Sequence, residues 1–226
     1  MGYAKGRAKR RDILDQATAL FGEAGYRGTS LREIAARCGI SHPGLLHHFP
    51  TKESLLLAVL AHRDEVDQER VTAGHPTGAA ALRRLVGIVA LNATRRGIVE
   101  LFTVLSAEAT AADHPAHDYF VDRYSRIVRE LEVAYAEARE AGDLRPGIEP
   151  ARAARDLVAL MDGLQIQWLL GDPALDMAAA VDEHLRAQLT GPPEHPGAEL
   201  GPPEHPRAEL GPPEQPGARL TDPPER

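Results

Sequence analysis

Residues 25–56 read GYRGTSLREIAARCGISHPGLLHHFPTKESLL. Ser30 precedes Leu31-Arg32-Glu33, so a hydroxyl can cap a helix whose Glu33, three residues on, can reach back to it. Leu31, Ile34, Ala35 and Cys38 then share the buried face of that short helix. Gly39 supplies a left-handed turn, and Ser41 can cap a second short helix in which Pro43 is tolerated, because first-turn amides have no intrahelical acceptor. That helix ends near Phe49-Pro50, and Thr51 can cap a longer one carrying Leu55, Leu56, Val59 and Leu60.

Upstream, Ile13, Leu14, Ala17, Leu20, Phe21 and Ala24 recur at helical spacing, and Gly25 is a natural stop. Downstream, the helix that begins after Thr51 runs past His62 to a break between Gly74 and Gly78. Apolar periodicity returns in roughly 78–95, 97–112, 115–141, 150–170 and 174–189, punctuated by glycine and proline. Aromatics are only 4% of the chain and β-branched runs between turn residues are absent. The expectation is an all-α fold of about nine helices. After Thr190 come three ten-residue repeats, GPPEHPGAEL, GPPEHPRAEL and GPPEQPGARL, too proline-rich to bury a core. Residues 191–226 are therefore expected to be a disordered tail with polyproline II character.

The net charge of −7 is unevenly spread. Residues 1–52 carry nine Lys/Arg against four Asp/Glu, a local +5, which leaves −12 for the remainder. The basic end is the one suited to a polyanion. One cysteine, Cys38, permits no intrachain disulfide and no thiolate cluster. No apolar run of signal-peptide or membrane-spanning length occurs, so a soluble, cytoplasmic protein is expected.

Ala35, Gly39 and Leu45 meet the needs of a helix-turn-helix: a small residue where two helices cross, a glycine at the turn, and an apolar residue locking the second helix. Spacing alone leaves an ordinary helical hairpin open. The whole stretch, preceded by ILDQATALFGEAG, closely resembles the N-terminal domain of the TetR family of transcriptional regulators, over roughly residues 8–65 without a gap. The resemblance implies a DNA-binding domain at 8–65 behind a basic arm at 1–7, and a ligand-binding and dimerisation domain at 66–190. It makes Ser41 to Phe49 the recognition helix, with His42, Pro43 and Gly44 facing base edges. Lys52 matches the family's phosphate-contacting lysine, beside the free amides of residues 52–54, and Thr29 and Ser30 offer a similar anion site. Leu46 stands where the family usually has a phosphate-binding tyrosine; it cannot donate a hydrogen bond, so either His47 takes that role or the contact is lost. Gly44 leaves base readout to His42 and DNA shape.

The resemblance also implies partners: double-stranded operator DNA, a second copy of the chain, and a small-molecule inducer. The candidates for lining its pocket are Phe102, Leu105, Tyr119, Phe120, Tyr124, Met161, Leu164 and Trp168, although apolar helical faces are more often plain core. In the family the last two helices pair with their symmetry mates. Here Leu157, Leu160, Met161, Leu164 and Trp168 form one apolar stripe, while Val158, Ile166, Leu169 and Leu170 leave a second that needs covering. A metal site at Cys38, His42, His47 and His48 is disfavoured, since Cys38 lies on a buried face and adjacent histidines diverge by about 100 degrees. Asp113, His114, His117 and Asp118 sit at a helix boundary, which suits capping or solvation. Neither a cofactor nor catalysis has a supporting motif. A ligand-responsive repressor is the expectation; a DNA-binding regulator without a ligand, and a helical enzyme or scaffold containing the motif, are the alternatives.

Overall fold

A computed structural model describes residues 2–171 and 175–191. Among these residues there are nine helices and no strand: α1 (Gly2–Gly28), α2 (Leu31–Arg37), α3 (His42–His48), α4 (Lys52–Thr72), α5 (Gly78–Ala93), α6 (Arg96–Glu108), α7 (His117–Glu140), α8 (Pro150–Leu169) and α9 (Met177–Gln188). The repeats beyond Gly191, expected to be disordered, lie outside the described residues.

Local chemistry explains the boundaries. Gly25 has φ 74° and ψ 162°, so α1 is interrupted at the expected glycine and resumes for one short turn to Gly28. The Thr29 hydroxyl donates to the Leu20 and Gly25 carbonyls, which ties the α1–α2 connection to the end of α1. The basic segment expected as an arm at 1–7 is helical from Gly2 and continuous with α1. Ser30, Ser41 and Thr51 each accept the backbone N–H three residues on. At the end of α2 the Gly39 N–H reaches Ala36 O and the Ile40 N–H reaches Ala35 O, a Schellman closure around Gly39 at φ 62°. That closure sets the angle between α2 and α3.

Two apolar cores result. In the first, Ile13, Phe21, Ile34, Leu45, Phe49, Leu55 and Leu60 of α1 to α4 pack with Leu101 and Leu105 of α6 and Phe120 of α7. The second joins α5, α7, α8 and α9 through Leu82, Tyr135, Leu157, Val181 and Leu185. The first core thus crosses the expected domain boundary at residue 65, because α6 lies along α1. Two glycines permit that approach: a Cβ on Gly97 would lie 2.3 Å from the Gly22 carbonyl oxygen. Just after α9 the Thr190 N–H donates to Asp143 O, and the Arg83 guanidinium donates to Thr190 O.

Candidate DNA-binding face and internal cavity

Helix α3 buries Leu45 and Phe49 completely or nearly so. With 3.6 residues per turn, this turns Pro43 and His47 outward, and both are exposed; His42, Gly44 and Leu46 are half-buried at the flanks. His47 is the donor-bearing side chain on the open face beside Leu46, and its ring stands 5.7 Å from that of His48. Ser41 accepts the Gly44 N–H at 3.1 Å, so its oxygen is already committed to the cap.

Lys52 opens α4 with its ammonium 4.5 Å from the Tyr26 ring centroid and 3.5 Å from the Arg27 carbonyl oxygen. Partial burial lowers its proton affinity slightly below that of a free lysine. Of the expected anion-binding amides at 52–54, that of Ser54 is taken by the Thr51 hydroxyl at 3.0 Å. The Glu53 carboxylate is held below its usual range by its own backbone N–H and by Thr51, so it already sits at this helix start. Ser30 is exposed, whereas Thr29 is 1% exposed with its hydroxyl spent on α1 carbonyls. Thr29 therefore braces the α1–α2 connection, and its side chain offers nothing to an anion.

Behind the first core lies a cavity of about 570 Å³ walled by α4, α5, α6, α7 and α8. Leu85, Val89, Val99, Ile127 and Val158 supply apolar surface. Four of the eight residues expected there, Phe102, Phe120, Tyr124 and Met161, line it. The other four do not. Leu105 belongs to the first core and Leu164 to the second. Tyr119 is turned to α4, donating to Leu60 O and Asp64 Oδ2. Trp168 lies near the end of α8 under the Arg96 guanidinium, 5.2 Å away, which donates to the Leu169 carbonyl. Apolar periodicity finds a buried face, but not whether the next element touches it or leaves a void.

The charged groups of the wall were not anticipated. Asp64 of α4 accepts from Arg123 Nε at 3.0 Å, Arg126 Nη2 at 2.8 Å and Tyr119 Oη at 2.8 Å, a clasp of α4 to α7. Burial and the Asp64 charge push the Tyr119 hydroxyl well above its ordinary pKa. Arg123 also lies 5.2 Å from the Phe102 ring centroid. Tyr124 donates to Asp162 at 2.9 Å, and burial raises that carboxyl. A sequence signal existed: Arg63 and Asp67 continue the stripe Leu56, Leu60 in α4, and a charge on an apolar stripe needs a buried partner.

Comparison with known proteins places this architecture. The model of bacterial regulatory proteins of the tetR family matches residues 13–59, and that of the BetI-type transcriptional repressor C-terminal domain matches residues 78–190. The chain belongs to the TetR family of transcriptional regulators. Among TetR relatives, the regulator BetI of Brucella suis is 29% identical over 190 residues, which is 82% of this chain and 93% of that protein. A regulator of Mycobacterium bovis, Mb3439c, is 31% identical over 172 residues, 76% of this chain and 77% of that protein. A transcriptional regulator of Saccharomonospora viridis crystallised with choline superposes with TM-score 0.69 and 25% identity over 80% of this chain and 98% of that one. AibR, in complex with isovaleryl coenzyme A and operator DNA, gives TM-score 0.60 and 27% identity over 79% of this chain and 97% of that one. In this TetR chain α2 and α3 form the helix-turn-helix. No helix among the described residues is long and apolar enough to cross a membrane.

Proposed function

We propose that this regulator is a cytoplasmic, homodimeric repressor that holds a palindromic operator and releases it when a small organic molecule fills the cavity. Residues 8–65 would bind DNA and residues 66–190 would sense the ligand and dimerise. The carrying observation is α4, a single helix that starts at Lys52 beside the recognition helix and supplies Arg63, Asp64 and Asp67 to the cavity wall. A ligand that fits the cavity better with α4 displaced lowers operator affinity; a tenfold to thousandfold fall needs about 1.4–4 kcal/mol of differential binding.

Dimerisation is supported by α8, where Ile166 is 48% exposed and the following Leu170 84% exposed, an apolar surface suited to a symmetry mate. Two-fold symmetry then sets two α3 helices in successive major grooves. The diversity of ligands named for relatives, choline and isovaleryl coenzyme A, makes both reasonable first candidates. The test is fluorescence anisotropy on DNA flanking the chain's own coding region, repeated with each candidate. Saturable binding by a dimer to a two-fold site, reversed by a ligand, is expected. Failure to bind any fragment there more tightly than unrelated DNA would refute operator recognition of that region, and binding that no ligand alters would favour a regulator without an effector.

A further inference from the structure

Where α4 faces the start of α6, the guanidinium groups of Arg63 and Arg70 stand against one carboxylate, Asp67, and a third guanidinium, Arg95, has no such partner among the described residues. Arg63 Nη1 lies 2.5 Å from Asp67 Oδ1, and Arg63 Nη2 donates to Asn92 Oδ1 at 2.8 Å. Arg70 Nη1 reaches the same Asp67 oxygen only at 3.7 Å, too long for a hydrogen bond. Among the described residues, Arg95 has no carboxylate within ion-pair distance. Of the five buried side-chain nitrogens without an acceptor among the described residues, four belong to these arginines, Arg63 Nε, Arg70 Nη1, and Nε and Nη2 of Arg95, and the fifth is Arg84 Nε. Arg63 itself is 8% exposed. Burial together with the charges of Arg63 and Arg70 draws Arg95 down to about 10. Neighbouring Arg96 shows the contrast, since its guanidinium is spent on the Trp168 ring and the Leu169 carbonyl.

We propose that Arg63, Arg70 and Arg95 form an oxyanion-binding site that takes the carboxylate or phosphate head of an organic effector whose apolar body lies in the cavity. The proposal rests on the reading of the cavity as the effector site. Arg63, Asp67 and Asn92 are on the cavity wall, beside the apolar side chains of Val89 and Val99, whereas Arg70 and Arg95 are not on that wall, so the head group meets Arg63 first and the other two arginines beyond it. Planar guanidinium forks match the geometry of carboxylates and phosphates, and the four orphaned donors equal the roughly four lone-pair sites of a carboxylate. Such an anion adds negative charge where Asp67 pairs with Arg63 and Arg70 and leaves Arg95 without an ion-pair partner. It also ties α4 to the start of α6, two residues before Gly97 meets Gly22 of α1. The head group is therefore placed where a change in its occupancy reaches the DNA-binding helices through both α4 and α1.

Calorimetric titration of the intact protein with sodium hexanoate, hexyl phosphate, 1-hexanol and choline chloride, at matched ionic strength, tests the site. At least one of the two hexyl anions is expected to bind tenfold or more tightly than hexanol, and the tighter identifies the head group. Arg95→Gln is expected to bring the anions to the level of hexanol, while Arg152→Gln, at a side chain 83% exposed on α8, changes nothing. Should Arg95→Gln fail to fold by circular dichroism, Arg70→Gln serves, its side chain being 30% exposed. Equal binding of hexanol and both anions, unchanged anion binding in the variant, or binding of choline alone would overturn the proposal. Anion binding that leaves operator affinity unaltered would preserve the site and refute the effector reading.

Discussion

Lys52 and Asp64 sit twelve positions apart on one helix and carry opposite duties. The Lys52 ammonium rests over Tyr26 rather than in an ion pair, so it is available to a phosphate with little to break. Lys52→Ala is expected to weaken binding to all DNA sequences alike and to reduce the salt slope by about one unit, whereas His42→Ala relaxes sequence preference. An unaltered slope for the lysine variant would remove the assigned contact. Asp64 holds two arginines and a tyrosine with its side chain only 14% exposed. Asp64→Ala strands those donors and is expected to cost about 3 kcal/mol, most of it from Arg123, since the half-exposed Arg126 is screened by water. Urea denaturation at fixed protein concentration measures this, and a loss below about 1 kcal/mol would mean that the clasp is not holding α4. Asp162 gives a pH signature. Its raised pKa means that the folded state keeps the proton longer, so stability falls as pH rises from 3.8 through the folded value. Asp162→Asn should flatten that fall and raise the melting temperature at neutral pH; identical pH profiles for both proteins would contradict the assignment.

At the scale of elements, the decisive contact is the crossing of α1 and α6. Helices normally stand apart by the width of their side chains, and here glycine meets glycine backbone to backbone. An alanine at 97 would push its methyl to 2.3 Å from Gly22 O and 2.7 Å from Gly22 C, where only helix displacement relieves the clash. Gly97→Ala is expected to destabilise by about 1–3 kcal/mol and to alter operator affinity although position 97 lies in α6, outside the helix-turn-helix. Thermal unfolding and operator titration of the same variant check both halves. A variant as stable as the parent would show that the helices separate freely and that α6 does not position α1.

For the whole molecule, the question is which surface meets a second copy. Leu164 and Trp168 lie on the stripe that faces the chain's own core, with Leu164 only 7% exposed, so a charge at 164 breaks the fold before it tests an interface. The outward stripe carries Ile166 and Leu170. Leu170→Asp is expected to keep the helical circular dichroism spectrum, sediment as a monomer and bind operator at least tenfold more weakly, because one recognition helix loses its tethered partner. A variant that still sediments as a dimer would place the interface elsewhere.

Capping hydroxyls, turn glycines and apolar periodicity act within a few residues, so the helices α1 to α9 were legible in the chain, and its resemblance to the TetR family made α2 and α3 a helix-turn-helix. Ser30, Gly39, Ser41 and Thr51 each act on backbone no more than a few positions away. Tertiary structure alone decided what those helices meet. Thr29 looked like a surface hydroxyl until the interruption at Gly25 claimed it. Leu105, Tyr119, Leu164 and Trp168 shared the apolar spacing of Phe102 and Met161, yet Leu105 packs into the first core, Tyr119 into the clasp of α4 to α7, Leu164 into the second core and Trp168 against Arg96. The Arg63, Arg70 and Arg95 cluster shows the same limit: 32 residues separate its ends, and like charges are brought together against their repulsion only when the surrounding core fixes the helices that carry them.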